Sequence, residues 1–367
     1  SPRTMQDFLR DEVTQNILGI FIGGFIYSVL NLVFLPVKNQ NDILFSANIS
    51  VVIAIICLCY FVYFLYHVAR SLQVNLLIDK LKEEILESIE NIEKQNNNDD
   101  RIRNTPSENI SDLKKGEAKE IYANKSGYIQ GYNPVKLAQF ADKLDVFIEA
   151  EKKIGEYVTN NTKLFTIWNI KQSKVNKKDQ EKSIEDFEGK QIKQIFKFID
   201  IGKERKKEND IEFGLLKLTE VALKAISPGI NDPNTAVFCI NQLGRVLSKI
   251  AVSNLENTYY YNNENDLCFI QEDIVFTELL YKTFFQLRLY GRQDYSIMGA
   301  ILDAFLIIAE GSPDYIKKEV WNLAVDTVNG FDESVLENSD KEYVNKKINR
   351  LAKETNGKAE FIKLNNR

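Results

Sequence analysis

Residues 17–35 read ILGIFIGGFIYSVLNLVFL, nineteen positions without a charge. At about 1.5 Å per residue, such a helix approaches the roughly 30 Å of a bilayer's hydrocarbon core. Residues 49–66, ISVVIAIICLCYFVYFLY, repeat the pattern with Ser50 as the polar exception and run on through His67, Val68 and Ala69. A buried helix of a soluble protein carries a polar stripe at this length. The two segments therefore read as a transmembrane helical hairpin, with spans at about 17–35 and 49–69 inside a first domain of residues 1–71.

The flanks orient the hairpin. Arg3 and Arg10 precede the first span, Arg70, Lys80 and Lys82 follow the second, and the connecting segment 36–48 holds only Lys38. The positive-inside bias then places both ends in the cytoplasm, so the expected location is the cell inner (plasma) membrane, multi-pass, with the C-terminal domain cytoplasmic. Tyr60, Phe61, Tyr63, Phe64 and Tyr66 fit an aromatic belt at the inner boundary, where His67, the one histidine, also falls. Gly19 and Gly23 form a GxxxG pair that Gly24 and Ser28 extend, and small residues at this spacing let another helix approach closely. That helix is either the second span or one from elsewhere.

Charge is segregated. Through residue 71, Arg3, Arg10, Lys38 and Arg70 balance Asp7, Asp11, Glu12 and Asp42, so the net charge of -5 sits on residues 72–367. An acidic soluble part argues against nucleic acid, whose phosphates need a basic face. The lipid bilayer and a second copy of the chain, as a homo-oligomer, are the expected partners. Cys57 and Cys59 lie in an apolar run, and Cys239 and Cys268 stand 29 residues apart, so no disulfide framework, metal site or cofactor is expected. The chain opens on Ser1 and Pro2 and lacks a signal-peptide layout, and it reads as a fragment of a longer protein.

Beyond the hairpin the fold class is mainly α with a small β module. Val74, Ile78, Leu81, Ile85, Ile89 and Ile92 recur at helical spacing, predicting an amphipathic stalk over 72–94 that continues the second span without a break. Its stripe suits either a seam between subunits or the face that docks on the same chain's globular part. Residues 95–116 read as a polar linker. Within 117–170 the strands KEIYA (119–123), SGYIQGY (126–132), VFIEAEK and KLFTIWN surround a helix, PVKLAQFADKL (134–144), opened by Pro134. Lys153–Trp168, KIGEYVTNNTKLFTIW, resembles the strand-turn-strand of biotinyl/lipoyl-like barrels without a lysine in a carrier context, implying a lipoyl-like interaction module with no attached group. Residues 171–190 form a charged linker.

Residues 191–367 read as a helical bundle, with helices expected at about 191–201, 208–226, 234–254, 272–291, 294–310, 313–329 and 340–355. Its distinctive stretch is ALKAISPGINDPNTA, 222–236. Pro228 ends one helix, Gly229 permits positive φ, Asp232 caps the next helix and Pro233 suits its first position. A purely structural turn accounts for every residue there but Asn231.

IGKERKKENDIEFG (201–214) followed by ALKAISPGINDPNTAVFCINQLG (222–244) resembles the signature of the DUF2254 family of predicted bacterial membrane proteins. SPRTMQDFLRDEVTQNILGIFIGGFIYSVL and FVYFLYHVARSLQV resemble its membrane region, so the likeness covers most of residues 1–300. The resemblance implies further membrane helices before Ser1 and brings no activity with it. Asn209, Lys224 and Asn241 stand where the family pattern leads one to expect Gln, Arg and Asp.

Two classes of function stay open. The first is a non-enzymatic oligomeric channel, transporter subunit or membrane-linked sensor with a cytoplasmic regulatory domain. The alternative is a membrane-anchored enzyme, with Ser227, Asn231, Asp232 and Thr235 gathered at a helix N-terminus that can bind an anion or metal, and Arg205 and Asp210 near them in sequence. No GxSxG elbow, phosphate-binding loop, dinucleotide fingerprint or HExxH accompanies them. Acids such as Asp210, Glu212 and Asp232 lack a ligand spacing that would single out a metal, and Arg205 with Asp210 reads as an ion pair before it reads as a ligand site.

Overall fold

The computed structural model describes residues 12–34, 40–71, 74–106, 109–114, 117–169, 189–206, 210–253, 255, 257–272, 274–330 and 337–357. The chain divides into two units, Ser1–Leu77 and Ile78–Arg367. The expected charged linker at 171–190 lies outside the described residues up to 188.

The first unit consists of α1 (Glu12–Phe34) and α2 (Gln40–Ser71). Gln15–Phe34 and Ala47–Leu65, with mean hydropathies of 2.2 and 2.4, are long and apolar enough to cross a membrane. Their side chains face outward: Phe25, Leu32, Val52 and Leu58 are each more than half exposed. In water that surface would cost about 25 cal/mol per Å², so a hydrocarbon surround suits it. The segment expected to connect the spans over 36–48 is helical from Gln40, since no Pro or Gly interrupts it and helix propagation is cheap.

The small residues of α1 divide. A Cβ on Gly24 would meet Cys57 Sγ at 2.9 Å and Ile53 Cγ2 at 3.4 Å, so Gly24 is where α2 comes close. Gly19 and Gly23 have nothing within 4 Å. Phe21 against Phe61, edge-on at 6.3 Å, and Asn31 Nδ2 donating to Ser50 Oγ at 3.4 Å complete the contact. Ser28 donates to the Gly24 carbonyl within its own helix.

The second unit opens within α3 (Val74–Asn97), which runs three residues past the expected end of the stalk. Residues 72 and 73, where an unbroken join to the second span was expected, are outside the described residues. Ile78, Leu81, Ile85 and Ile89 are buried, and Ile85 sits so close to Gly214 that a Cβ there would overlap it. Of the two uses open to the stripe, this is docking on the same chain's globular part.

The β portion is larger than the sequence suggested. The strands are β1 (Ile102–Arg103), β2 (Ala118–Tyr122), β3 (Gly127–Tyr132), β4 (Val146–Ala150), β5 (Tyr157–Val158), β6 (Lys163–Asn169), β7 (Ile199–Gly202), β8 (Asn257–Tyr261) and β9 (Leu267–Glu272). Two short helices lie among the first six of them, α4 (Ile110–Leu113) and α5 (Pro134–Lys143), and α6 (Gly189–Ile195) precedes β7. One sheet has the order β1-β8-β9-β4-β6-β2 and the other β5-β3-β7. β4 pairs with β9 in parallel, Ile148 opposite Phe269, and the other pairings are antiparallel.

Four expectations change with this topology. The helix expected at 191–201 stops at Ile195, because Ile199 and Ile201 alternate inward around Asp200 and pair with β3. The supposed linker supplies β1 and α4. The module is not confined to 117–170, since β8 and β9 come from the segment read as helical. Lys153–Trp168 does not make a hairpin in one sheet: Gly155 turns the chain at φ 91°, β5 joins the smaller sheet and β6 the larger. Ile121, Ile129, Leu137, Ile148, Leu164 and Ile201 share the core between sheets and α5.

The helices that follow are α7 (Ile211–Ala225), α8 (Pro233–Val252), α9 (Phe276–Tyr290), α10 (Tyr295–Ala309), α11 (Asp314–Asn329) and α12 (Asn338–Thr355). α8 and α10 cross where a Cβ on Gly244 would lie 2.9 Å from Ala304, so glycine allows the approach. The chain is mainly helical, with a smaller sheet portion and two apolar helices near its N-terminus.

Candidate functional site

The candidate residues fall at the two ends of α7. At its start Asp210, 3% exposed, accepts the Phe213 amide at 2.9 Å and so caps the helix. Arg205 grips the same carboxylate with two bonds, Nε to Oδ2 and Nη2 to Oδ1, both 2.6 Å, in the fork geometry that makes such pairs strong. The Arg205 guanidinium also lies over the Phe213 ring at 5.0 Å. Gly155 presses on this pair from the turn between β4 and β5, leaving no space for a Cβ. The pair thus ties the sheet portion to the first turn of α7.

The SPGINDP turn lies at the other end of α7, about 22 Å away for fifteen residues. Ser227 donates its hydroxyl to the Lys224 carbonyl at 2.6 Å, and its own carbonyl accepts the amides of Ile230 and Asn231. The positive φ expected at Gly229 falls instead on Asn231, at 48°, the left-handed region that Asn tolerates better than most residues, and the Asp232 amide reaches back to Ala225. Asp232 caps α8, accepting the Thr235 amide at 3.1 Å and the Thr235 hydroxyl at 2.6 Å. The hydroxyl and amide bonds from Thr235 hold the Asp232 carboxyl below the ordinary aspartate value. The structure therefore gathers Ser227, Asn231, Asp232 and Thr235 at one corner and keeps Arg205 and Asp210 apart from them.

Two cavities, of about 230 and 180 Å³, lie elsewhere. Neither is lined by a candidate residue. Among the described residues no group of three or more His, Cys, Asp or Glu side chains could hold a metal ion. Burial pushes the Cys239 and Cys268 thiols up to about 12, which leaves neither as a thiolate nucleophile.

A polar clamp on the stalk had no signal in the sequence. Lys249 of α8 bonds both Glu93 oxygens, at 3.0 and 2.8 Å, and Ser253 donates to Oε1 at 2.6 Å. A second polar contact holds α3 about four turns earlier, where Gln242 donates to Asp79 at 3.3 Å. Burial would raise the Glu93 carboxyl, and the bonds from Lys249 and Ser253 outweigh it, so the pKa is lowered. These partners are about 160 residues apart in the chain, beyond any local spacing rule.

The chain belongs to the DUF2254 family. The family, described as a predicted membrane protein, matches residues 1–306. Similar relatives are uncharacterized proteins of Mycobacterium tuberculosis (strains CDC 1551 / Oshkosh and ATCC 25618 / H37Rv) and Mycobacterium bovis. Each is 26% identical over 319 residues, 86% of this chain and 58% of the relative. The chain thus spans little more than half the length of the curated relatives it matches. No solved structure matches it.

Proposed function

We propose that this DUF2254 chain is a non-enzymatic membrane protein, an oligomeric channel, transporter subunit or membrane-linked sensor whose folded unit regulates its apolar helices. The observation that carries the reading is the docking of α3. The helix begins at Val74, shortly after the second apolar segment, buries Ile78, Leu81, Ile85 and Ile89 in the folded unit and is clamped there through Glu93. A change in that unit has a direct covalent route toward the bilayer. The lysine and arginine bias puts the folded unit in the cytoplasm, under a multi-pass arrangement in the plasma membrane. The segment 153–168, lipoyl-like in sequence, then serves as an interaction module without an attached group.

The groups an enzyme would use are engaged locally. The Asp232 carboxylate caps α8, the Ser227 hydroxyl bonds its own helix and Asp210 is held by Arg205. This supports the structural reading of the SPGINDP corner over an anion- or metal-binding one. Reconstitution of the full-length protein in liposomes tests the proposal: an oligomer that passes ions, with flux altered by Glu93→Gln, is the expected outcome. A strictly monomeric protein without flux would sink the channel form.

A further inference from the structure

We infer that the outward face of α9 is a self-complementary contact between two copies of this chain, packed antiparallel about Phe285. The inference rests on the oligomeric part of the reading above. The outer side of α9 carries an apolar strip flanked by the exposed polar residues Thr277, Lys282 and Gln286. Its inner side puts Phe276, Leu280, Phe284 and Leu287 into the bundle. Its outer side exposes Tyr281 by 51%, Phe285 by 45% and Leu289 by 47%, one above another at i, i+4 and i+8. Tyr281 stacks on Phe285 with ring centroids 5.5 Å apart. Aromatic side chains in such a strip are the composition of interface centres.

The charges at the ends of the strip choose the occupant. Glu278 stands on α9 seven residues before Phe285, and Arg292, seven after it, lies in the turn just past the Gly291 cap; both are exposed. Glu278 is engaged only loosely, by Lys153 and Lys282 at 3.8 Å each. In an antiparallel pair about a two-fold axis at Phe285, each Glu278 comes opposite the other copy's Arg292, and each Tyr281 opposite the other copy's Leu289. The strip therefore matches itself in both shape of sequence and charge. An anionic bilayer surface fits less well, because it repels a carboxylate at one end of the strip.

The test uses the full chain in lipid bilayers, with Cys57→Ser and Cys59→Ser removing the membrane thiols. Phe285→Cys, added on that background, should give a disulfide-linked dimer under mild oxidation, whereas Lys224→Cys should not. Glu278→Arg and Arg292→Glu should each lower the cross-linked fraction several-fold, and the two together should restore it. An oligomer by mass that never cross-links at 285 overturns the assigned face and leaves the oligomer reading standing. A monomer overturns both. A nitroxide on Phe285→Cys that is relaxed by oxygen but not by an aqueous nickel chelate places lipid on the face and also overturns it.

Discussion

Helix α7 opens on Asp210 and helix α8 on Asp232, and in each the carboxylate accepts the amide three residues on, at 2.9 Å from Phe213 and 3.1 Å from Thr235. In sequence the two caps follow one rule. In the fold Asp210 is buried, gripped by Arg205 and pressed by Gly155, whereas Asp232 lies on an exposed turn and is bonded only by Thr235 and its own helix. A cap in water saves one orphan amide. A cap out of water must also neutralise its own charge, so the same side chain becomes a joint between sheet and helix.

Asp210→Ala strands the Arg205 guanidinium in a partly buried place and should give the largest loss, about 3 kcal/mol. Denaturant unfolding of the detergent-solubilised chain measures it, and a loss no larger than that of Asp232→Ala would erase the distinction. Gly155→Ala should follow at about 2 kcal/mol, from positive φ and from a methyl group forced into the ion pair. A neutral result there would mean the turn between β4 and β5 does not rest on the pair.

Glu93→Gln loosens the stalk clamp and should cost up to about 1 kcal/mol near neutral pH. Its folded pKa is lowered, so the clamp's stabilisation is complete above the ordinary glutamate value and is lost as pH falls through the depressed one. The variant should therefore lose that part of the acid dependence seen in the parent, read from midpoints across a pH series. Asp232→Ala should give the smallest shift of the set, and Asp232→Asn less still, because Asn caps nearly as well. Abolished flux with unchanged stability in Asp232→Ala would turn the Asp232 cap into a working site.

The elements that the sequence alone established are those whose cause is local. Nineteen uncharged residues at 17–35 and the apolar run from 49 dictate membrane-length helices, since length and hydropathy are properties of a segment. The strands at 118–122, 127–132, 146–150 and 163–169, the proline-opened helix at 134–143 and the grammar of the SPGINDP corner were legible for the same reason, each residue acting on its neighbours. Asp232 as a cap was among them.

The remaining elements depend on partners distant in the chain. Ile199–Gly202 lies in a segment whose spacing reads as helix, and it is a strand because β3, some seventy residues earlier, offers it a free edge. β8 and β9 extend a sheet begun at 118 because Ile148 finds Phe269 beside it. The stalk's stripe carried two meanings until Gly214 left room for Ile85 and Lys249 and Ser253 met Glu93. Arg205 and Asp210 looked like neighbours of the SPGINDP turn, yet an α-helix separates them from it by its whole length. Periodicity tells which side of an element is apolar; only packing tells what that side meets.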